Sequence, residues 1–227
     1  MIRPTTRPTT RPTTRPTTRP TTRPTRHAGA LKVAATVLLT LAATGCLSKS
    51  ELPPPRYFRP GPVLPGGAPA DAAPAPAGEP APLRLRDVTA AGHLGERMVW
   101  VSRVGGAQEY GFYDEARWTE PPAAFVAAAL ARALFERGGL VRSSGGEAPV
   151  LDVHLRAFEE VVDPQHQAQV ALHVLLAGPD GRALLERTFV GAQAVAEHDP
   201  AAVALAMGQA LDQAVAEAAR AVDAAVQ

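Results

Sequence analysis

Two runs of alternating residues constrain this chain more than anything else in it. Leu151, Val153, Leu155 and Ala157 are separated by Asp152, His154 and Arg156. After Asp163-Pro164, Ala168, Val170, Leu172, Val174 and Leu176 recur with the same period of two, with Gln167, Gln169 and His173 between them. Successive side chains of a strand point to opposite faces, so each run has one dry face and one wet face. The short Asp163-Pro164 break joins them as a long antiparallel hairpin. A hairpin with one apolar face is not stable alone and requires helices or further strands to cover it.

The neighbouring segments supply those elements. Leu83-Arg84-Leu85-Arg86-Asp87-Val88 alternates as a half-buried strand, His93-Leu94-Gly95 reads as a turn, and Met98-Val99-Trp100-Val101 reads as a second strand. Glu109–Tyr113 reads as a third strand, reached through Gly105-Gly106. Thr119-Glu120-Pro121 has the form of an N-cap followed by an early proline. The helix it opens is predicted to reach about Arg137, with Phe125, Leu130 and Leu134 inward, and Gly138-Gly139 stops it. Leu140-Val141-Arg142 follows as a short strand, and Gly178-Pro179-Asp180-Gly181 turns into another near Ala183–Val190. Asp199-Pro200 opens the last helix, where Val203, Met207, Leu211, Val215, Ala218, Val222 and Val226 recur at spacings of three and four. The predicted fold is a single α/β (α+β) domain over residues 83–227, with a mixed, largely antiparallel sheet packed by two main helices.

Residues before that domain have a different character. From Arg3 to Thr25 the chain repeats Arg-Pro-Thr-Thr, and a proline at every fourth position forbids a helix. An apolar stretch from Ala28 to Gly45 follows, broken by Lys32. Its uncharged part suits the core of a signal peptide and is short of the ~20 residues needed to span a bilayer. It ends Leu41-Ala42-Ala43-Thr44-Gly45-Cys46, at the only cysteine of the chain. This resembles a bacterial lipoprotein signal, in which residues 1–45 are removed and Cys46 becomes a lipid-carrying N-terminus. Residues 46–82 then form a Pro/Ala/Gly-rich tether, with a reach of up to ~3 Å per residue. Tyr57 and Phe58 are the only aromatics in it and are a candidate first strand of the domain.

Cleavage also changes the working charge. The formal charge of the full chain is +1. Segment 1–46 contains eight of the 23 basic residues and no acidic one, which leaves 15 against 22 acidic residues and a net charge of −7. That sign, with no basic aromatic patch, argues against nucleic acid as a partner. With Cys46 acylated no thiol remains for a disulfide or a cysteine metal site.

Catalytic motifs are lacking: no GxSxG, HExxH, phosphate-binding loop or GxGxxG occurs in the domain. His154 and His173 are expected opposite each other on the wet face of the hairpin, with Asp152 as the nearest third ligand for a metal; two solvated histidines are the favoured alternative. Glu159 and Glu160 are adjacent on a strand, point to opposite faces, and are expected at a solvated edge. Arg117-Trp118, at the start of the first helix, are candidate partner-binding residues, since both types are enriched at binding hot spots. The competing assignment, and the preferred one, is a Trp118 that closes the end of the core. The residues thus point to no catalytic group, no cofactor and no metal.

The order of motifs resembles a known family. Arg56-Tyr57-Phe58 is followed by Gly92-His93-Leu94-Gly95-Glu96-Arg97-Met98-Val99, Arg103, Tyr110, Tyr113 and Ala116-Arg117-Trp118-Thr119-Glu120-Pro121. Over about residues 56–226 the chain is similar to the ABC-type transport auxiliary lipoproteins, which include the lipoprotein of the paraquat-inducible (Pqi) system. His93 and Gly95 stand where Tyr and Asp are common in that family. The resemblance implies a non-enzymatic accessory protein. Its partners would be ABC transporter subunits and the MCE-domain subunits that carry lipids between the membranes of the Gram-negative envelope. Members of that family can form homo-oligomeric rings. Leu47, rather than Asp, after the lipidated cysteine favours the periplasmic face of the outer membrane. Two alternatives stand beside this: an outer-membrane lipoprotein that binds an assembly factor or cell wall, and an envelope hydrolase, for which no nucleophile–base pair is visible.

Overall fold

In the computed structural model, residues 53–61 and 80–227 are described. The Arg-Pro-Thr-Thr repeat, Cys46 and most of the Pro/Ala-rich stretch lie outside the described residues. The elements are β1 (Arg56–Phe58), β2 (Pro82–Leu85), β3 (Thr89–Ala90), β4 (Arg97–Ser102), β5 (Glu109–Trp118), α1 (Pro122–Ala131), β6 (Val141–Arg142), β7 (Val150–Val161), β8 (Gln167–Ala177), β9 (Ala183–Ala194) and α2 (Pro200–Val226). A π-helical turn, Arg132–Glu136, extends α1. The strand predicted over 83–88 stops at Leu85, a separate two-residue strand follows at Thr89–Ala90, and the third predicted strand runs on to Trp118.

All strands join one nine-stranded sheet with β7 at its centre. The alternating runs form the predicted hairpin, and β8 pairs antiparallel with both β7 and β9. The other edge of β7 is lined in succession by β2, β3 and β4, all parallel to it. β5 returns antiparallel beside β4, and β1 pairs parallel with the end of β5, Tyr57 opposite Arg117. The sheet is therefore mixed, its long ladders are antiparallel, and both helices pack on it.

The covered face is the predicted dry face, with one change of phase. Leu151, Val153 and Leu155 pair across to Leu176, Val174 and Leu172, and all six are buried. Between Leu155 and Ala157 the register shifts by one residue, a β-bulge at Arg156. Ala157 consequently pairs with Ala171 on the opposite face, and Phe158 and Glu160 take the covered side, paired with Val170 and Ala168. The bulge thus moves Ala157 from the expected face to the other one, where it is still buried. Each fully buried leucine of this face contributes roughly 1.5–3 kcal/mol by leaving water.

Helix α2 packs on β8 and β9 through the predicted stripe of Val203, Met207, Leu211, Val215, Ala218 and Val222. Its N-cap is Asp199, whose Oδ2 accepts from the backbone N–H of Ala201 at 2.9 Å and of Ala202 at 3.3 Å. Small residues bring the helix close to the sheet. A Cβ at Gly191 of β9 would overlap the carbonyl oxygen of Ala210. Past β1 the chain crosses the same helix, where Gly61 N–H donates to Ala204 O at 2.9 Å and Gly208 leaves room for the Gly61 backbone. At α1 the N-cap is Pro121 and not Thr119, and no side chain caps it. Among the described residues, no helix is long and apolar enough to cross a membrane.

Candidate functional site

Past the bulge, the covered face ends in polar residues. Glu160, near the C-terminal end of β7, is fully buried there. Trp100 of β4 is its register partner, and Trp100 in turn lies over Gly111 of β5, where any Cβ would collide with the indole. Two residues along β5, Tyr113 donates its hydroxyl to Glu160 Oε2 at 2.6 Å. His166 comes from the turn between β7 and β8, and its Nε2 lies 2.5 Å from Glu160 Oε1. His198 comes from the connection between β9 and α2, immediately before the Asp199 cap, and its Nδ1 lies 2.9 Å from the same oxygen. The two connections are joined by a backbone bond, Val195 N–H to His166 O at 3.1 Å.

Electrostatically this is an unusual place for a carboxylate. Burying an ionised carboxylate is costly unless it is paired and hydrogen-bonded. Among the described residues Glu160 pairs with no Lys or Arg; its contacts are the phenol and two imidazoles. Since Glu160 Oε1 accepts from both rings, the nearer nitrogen of each histidine carries a proton in this arrangement. Burial, and then the hydrogen bond to Glu160, push the Tyr113 phenol well above its ordinary range, so it stays a donor. A cavity of about 420 Å³, lined by Trp100, Val162, His166 and His198, opens beside the two histidines.

Its neighbour Glu159 faces the other way, as the strand geometry requires, yet it too is buried. The turn between β3 and β4 sets His93 Nε2 3.5 Å from Glu159 Oε2, and the His93 ring packs on Tyr110 with centroids 4.9 Å apart. Desolvation raises the Glu159 carboxyl above its usual range, and His93 and Arg103 partly offset this. The expectation of a solvated edge for Glu159 and Glu160 is therefore overturned on both faces. Tyr113 and His198 cover one glutamate and the His93 turn covers the other, contacts made between distant parts of the chain.

The remaining candidates are placed as follows. His154 and His173 are direct register partners on the outer face. They do not form a ligand set with Asp152. His154 Nδ1 bonds Thr89 Oγ1 at 2.9 Å, His173 Nδ1 bonds Thr188 Oγ1 at 3.3 Å, and Asp152 pairs with Arg86 at 3.3 Å. Trp118 is 1% exposed, edge-on to Phe158 at 5.2 Å and Phe125 at 6.3 Å. That ring is core, so a partner cannot reach it without opening the fold, and the binding role is withdrawn for it. Arg117, on the other side of the strand, is half-buried and donates to Tyr113 O and Ala116 O at 3.0 and 2.9 Å. Sequence alone missed the meeting of Glu160, His166 and His198, because nothing local links a strand end with two separate connections.

Two crystal structures are similar in fold. A Xanthomonas campestris protein of the DUF330 family is 24% identical, with a TM-score of 0.61, over 75% of this chain and 96% of its own. An uncharacterized protein is 18% identical, with a TM-score of 0.55, over 74% of this chain and 99% of its own. No curated protein matches the chain. The family model described as "ABC-type transport auxiliary lipoprotein component" matches residues 63–219, from before β2 into α2. The chain is therefore a member of the ABC-type transport auxiliary lipoprotein family.

Proposed function

We propose that this chain is a membrane-anchored, non-catalytic accessory lipoprotein of an MCE-type ABC transporter that moves lipids or other hydrophobic compounds across the Gram-negative envelope. The observation that carries this reading is the family match over residues 63–219, which ties the domain to ABC-type transport. The sequence around Cys46 adds the anchor. Acylation there contributes ~0.8 kcal/mol per methylene buried in the bilayer, so two or three chains hold the protein stably. Because β1 is already part of the sheet, residues 47–55 are the link between Cys46 and the domain, and they set how far it can meet a partner from the lipid surface. Leu47 favours the periplasmic face of the outer membrane. Docking through protein surfaces, alone or as a ring of copies, is the mechanism, with Arg117 as a candidate contact and no bond made or broken.

Co-purification tests this reading. After crosslinking in the native host, the full-length lipoprotein is expected to bring down the ATPase, permease and MCE-domain subunits of one transporter. Recovery of a cell-wall or assembly factor in their place would favour the other class of outer-membrane lipoprotein.

A further inference from the structure

We propose that Glu160, His166 and His198 form a binding site for one divalent transition-metal ion, with Zn²⁺ the best match. The three side chains offer one carboxylate oxygen and two ring nitrogens, all within 4.8 Å of one another. Mixed imidazole and carboxylate donors suit Zn²⁺ and its neighbours, and are a poor set for Ca²⁺ or Mg²⁺, which take oxygen ligands. Atoms bound to one Zn²⁺ at about 2.0–2.2 Å sit roughly 3.3 Å apart in a tetrahedron. The two glutamate–histidine separations here are 2.5 and 2.9 Å. A small outward rotation of the imidazoles therefore makes room for the ion. They are free to rotate, because both lie on connections and their side chains are 30% and 56% exposed.

The surroundings fit the same assignment. Glu160 is set in the central strand, and Tyr113 donates to its Oε2 at 2.6 Å, with the same hydroxyl 3.0 Å from His198 Nδ1. A hydrogen-bonded carboxylate of this kind orients its other oxygen toward a metal. An ion beside Oε1 would supply a fixed positive charge to a buried carboxylate that, among the described residues, no Lys or Arg reaches. Binding exchanges two N–H···O bonds for metal bonds, and a neutral ring meets this by carrying its proton on the other nitrogen. The coordination position left over faces the cavity beside Trp100 and Val162 and is open to water or to a ligand from a partner. The ion's role is to lock the β7–β8 turn to the β9–α2 connection at one end of the sheet.

The test is Zn²⁺ titration of the tag-free, detergent-solubilised full-length protein, with calorimetry, metal counting and thermal melts. One Zn²⁺ per chain is expected, with a rise in Tm. His166→Ala and His198→Ala are each expected to weaken binding at least about tenfold, the scale on which even indirect contacts to a bound metal act. Their metal-free Tm should fall, because each takes one hydrogen-bond donor from the buried Glu160 carboxylate, so binding is measured at a temperature where both variants remain folded. His173→Ala, on the outer face, is expected to bind as the parent does. Glu160→Gln serves as a third variant if it folds. The proposal is overturned if no stoichiometric Zn²⁺ is taken up, or if both His166→Ala and His198→Ala bind Zn²⁺ as tightly as the parent. Either result would make the cluster a purely hydrogen-bonded one.

Discussion

The two faces of the β7–β8 hairpin treat their histidines in opposite ways. On the outer face His154 and His173 sit opposite each other, and each is satisfied by its own threonine, while Asp152 is held by Arg86. On the covered face two histidines from separate connections share one buried oxygen of Glu160. Strand spacing places residues side by side, but the next strand over offers each of them a separate partner. Convergence comes where loops fold back over a strand end. Exposed pairs of the first kind contribute little to stability. A buried carboxylate with shared partners is far more sensitive to change.

The largest expected break in this contrast comes from the covered face. Leu172→Ala should destabilise by about 2–5 kcal/mol in a denaturant titration, because Leu172 is fully buried opposite Leu155. Next is Gly191→Ala, whose new methyl would overlap Ala210 O and push α2 from the sheet. A loss of about 1–3 kcal/mol is expected. Gly92→Ala serves as its control, since a Cβ there meets nothing within 4 Å, and should leave Tm almost unchanged.

Glu159→Gln sharpens the comparison through pH. Desolvation raises the folded-state pKa of Glu159, so between the unfolded value of ~4.3 and that raised value the folded chain binds more protons. Stability from this group therefore falls as pH rises through that window. The Gln variant should melt higher than the parent at pH 7, with the gain vanishing below the unfolded carboxylate range. The smallest effect is expected for His154→Ala, a partly exposed outer-face change within about 0.5 kcal/mol of the parent. A loss as large as that of Leu172→Ala would dissolve the distinction between the faces.

Most of the architecture was legible where period and burial coincide. The alternation in β7 and β8, the Asp199 cap and the apolar stripe of α2 each report their own environment locally. The bulge at Arg156 was hidden in a run that looks regular, although Phe158, a large apolar residue out of phase with Leu155, was its visible trace. The parallel pairings of β2, β3 and β4 along one edge of β7 depend on contacts remote in sequence. The same remoteness hid the metal-ligand geometry. Glu160 reads as one of two strand glutamates, His166 as a turn residue and His198 as a loop residue, until the fold brings the three together.

The central claim is that this domain serves an ABC transporter as a lipid-anchored adaptor. It is tested most directly by crosslinking the full-length lipoprotein in its native envelope and identifying what is recovered by mass spectrometry. The account predicts transporter subunits, with an MCE-domain protein among them, and their loss from the membrane-bound complex when Cys46→Ser removes the acylated residue. Recovery of the lipoprotein with no ATPase, permease or MCE-domain subunit would contradict it.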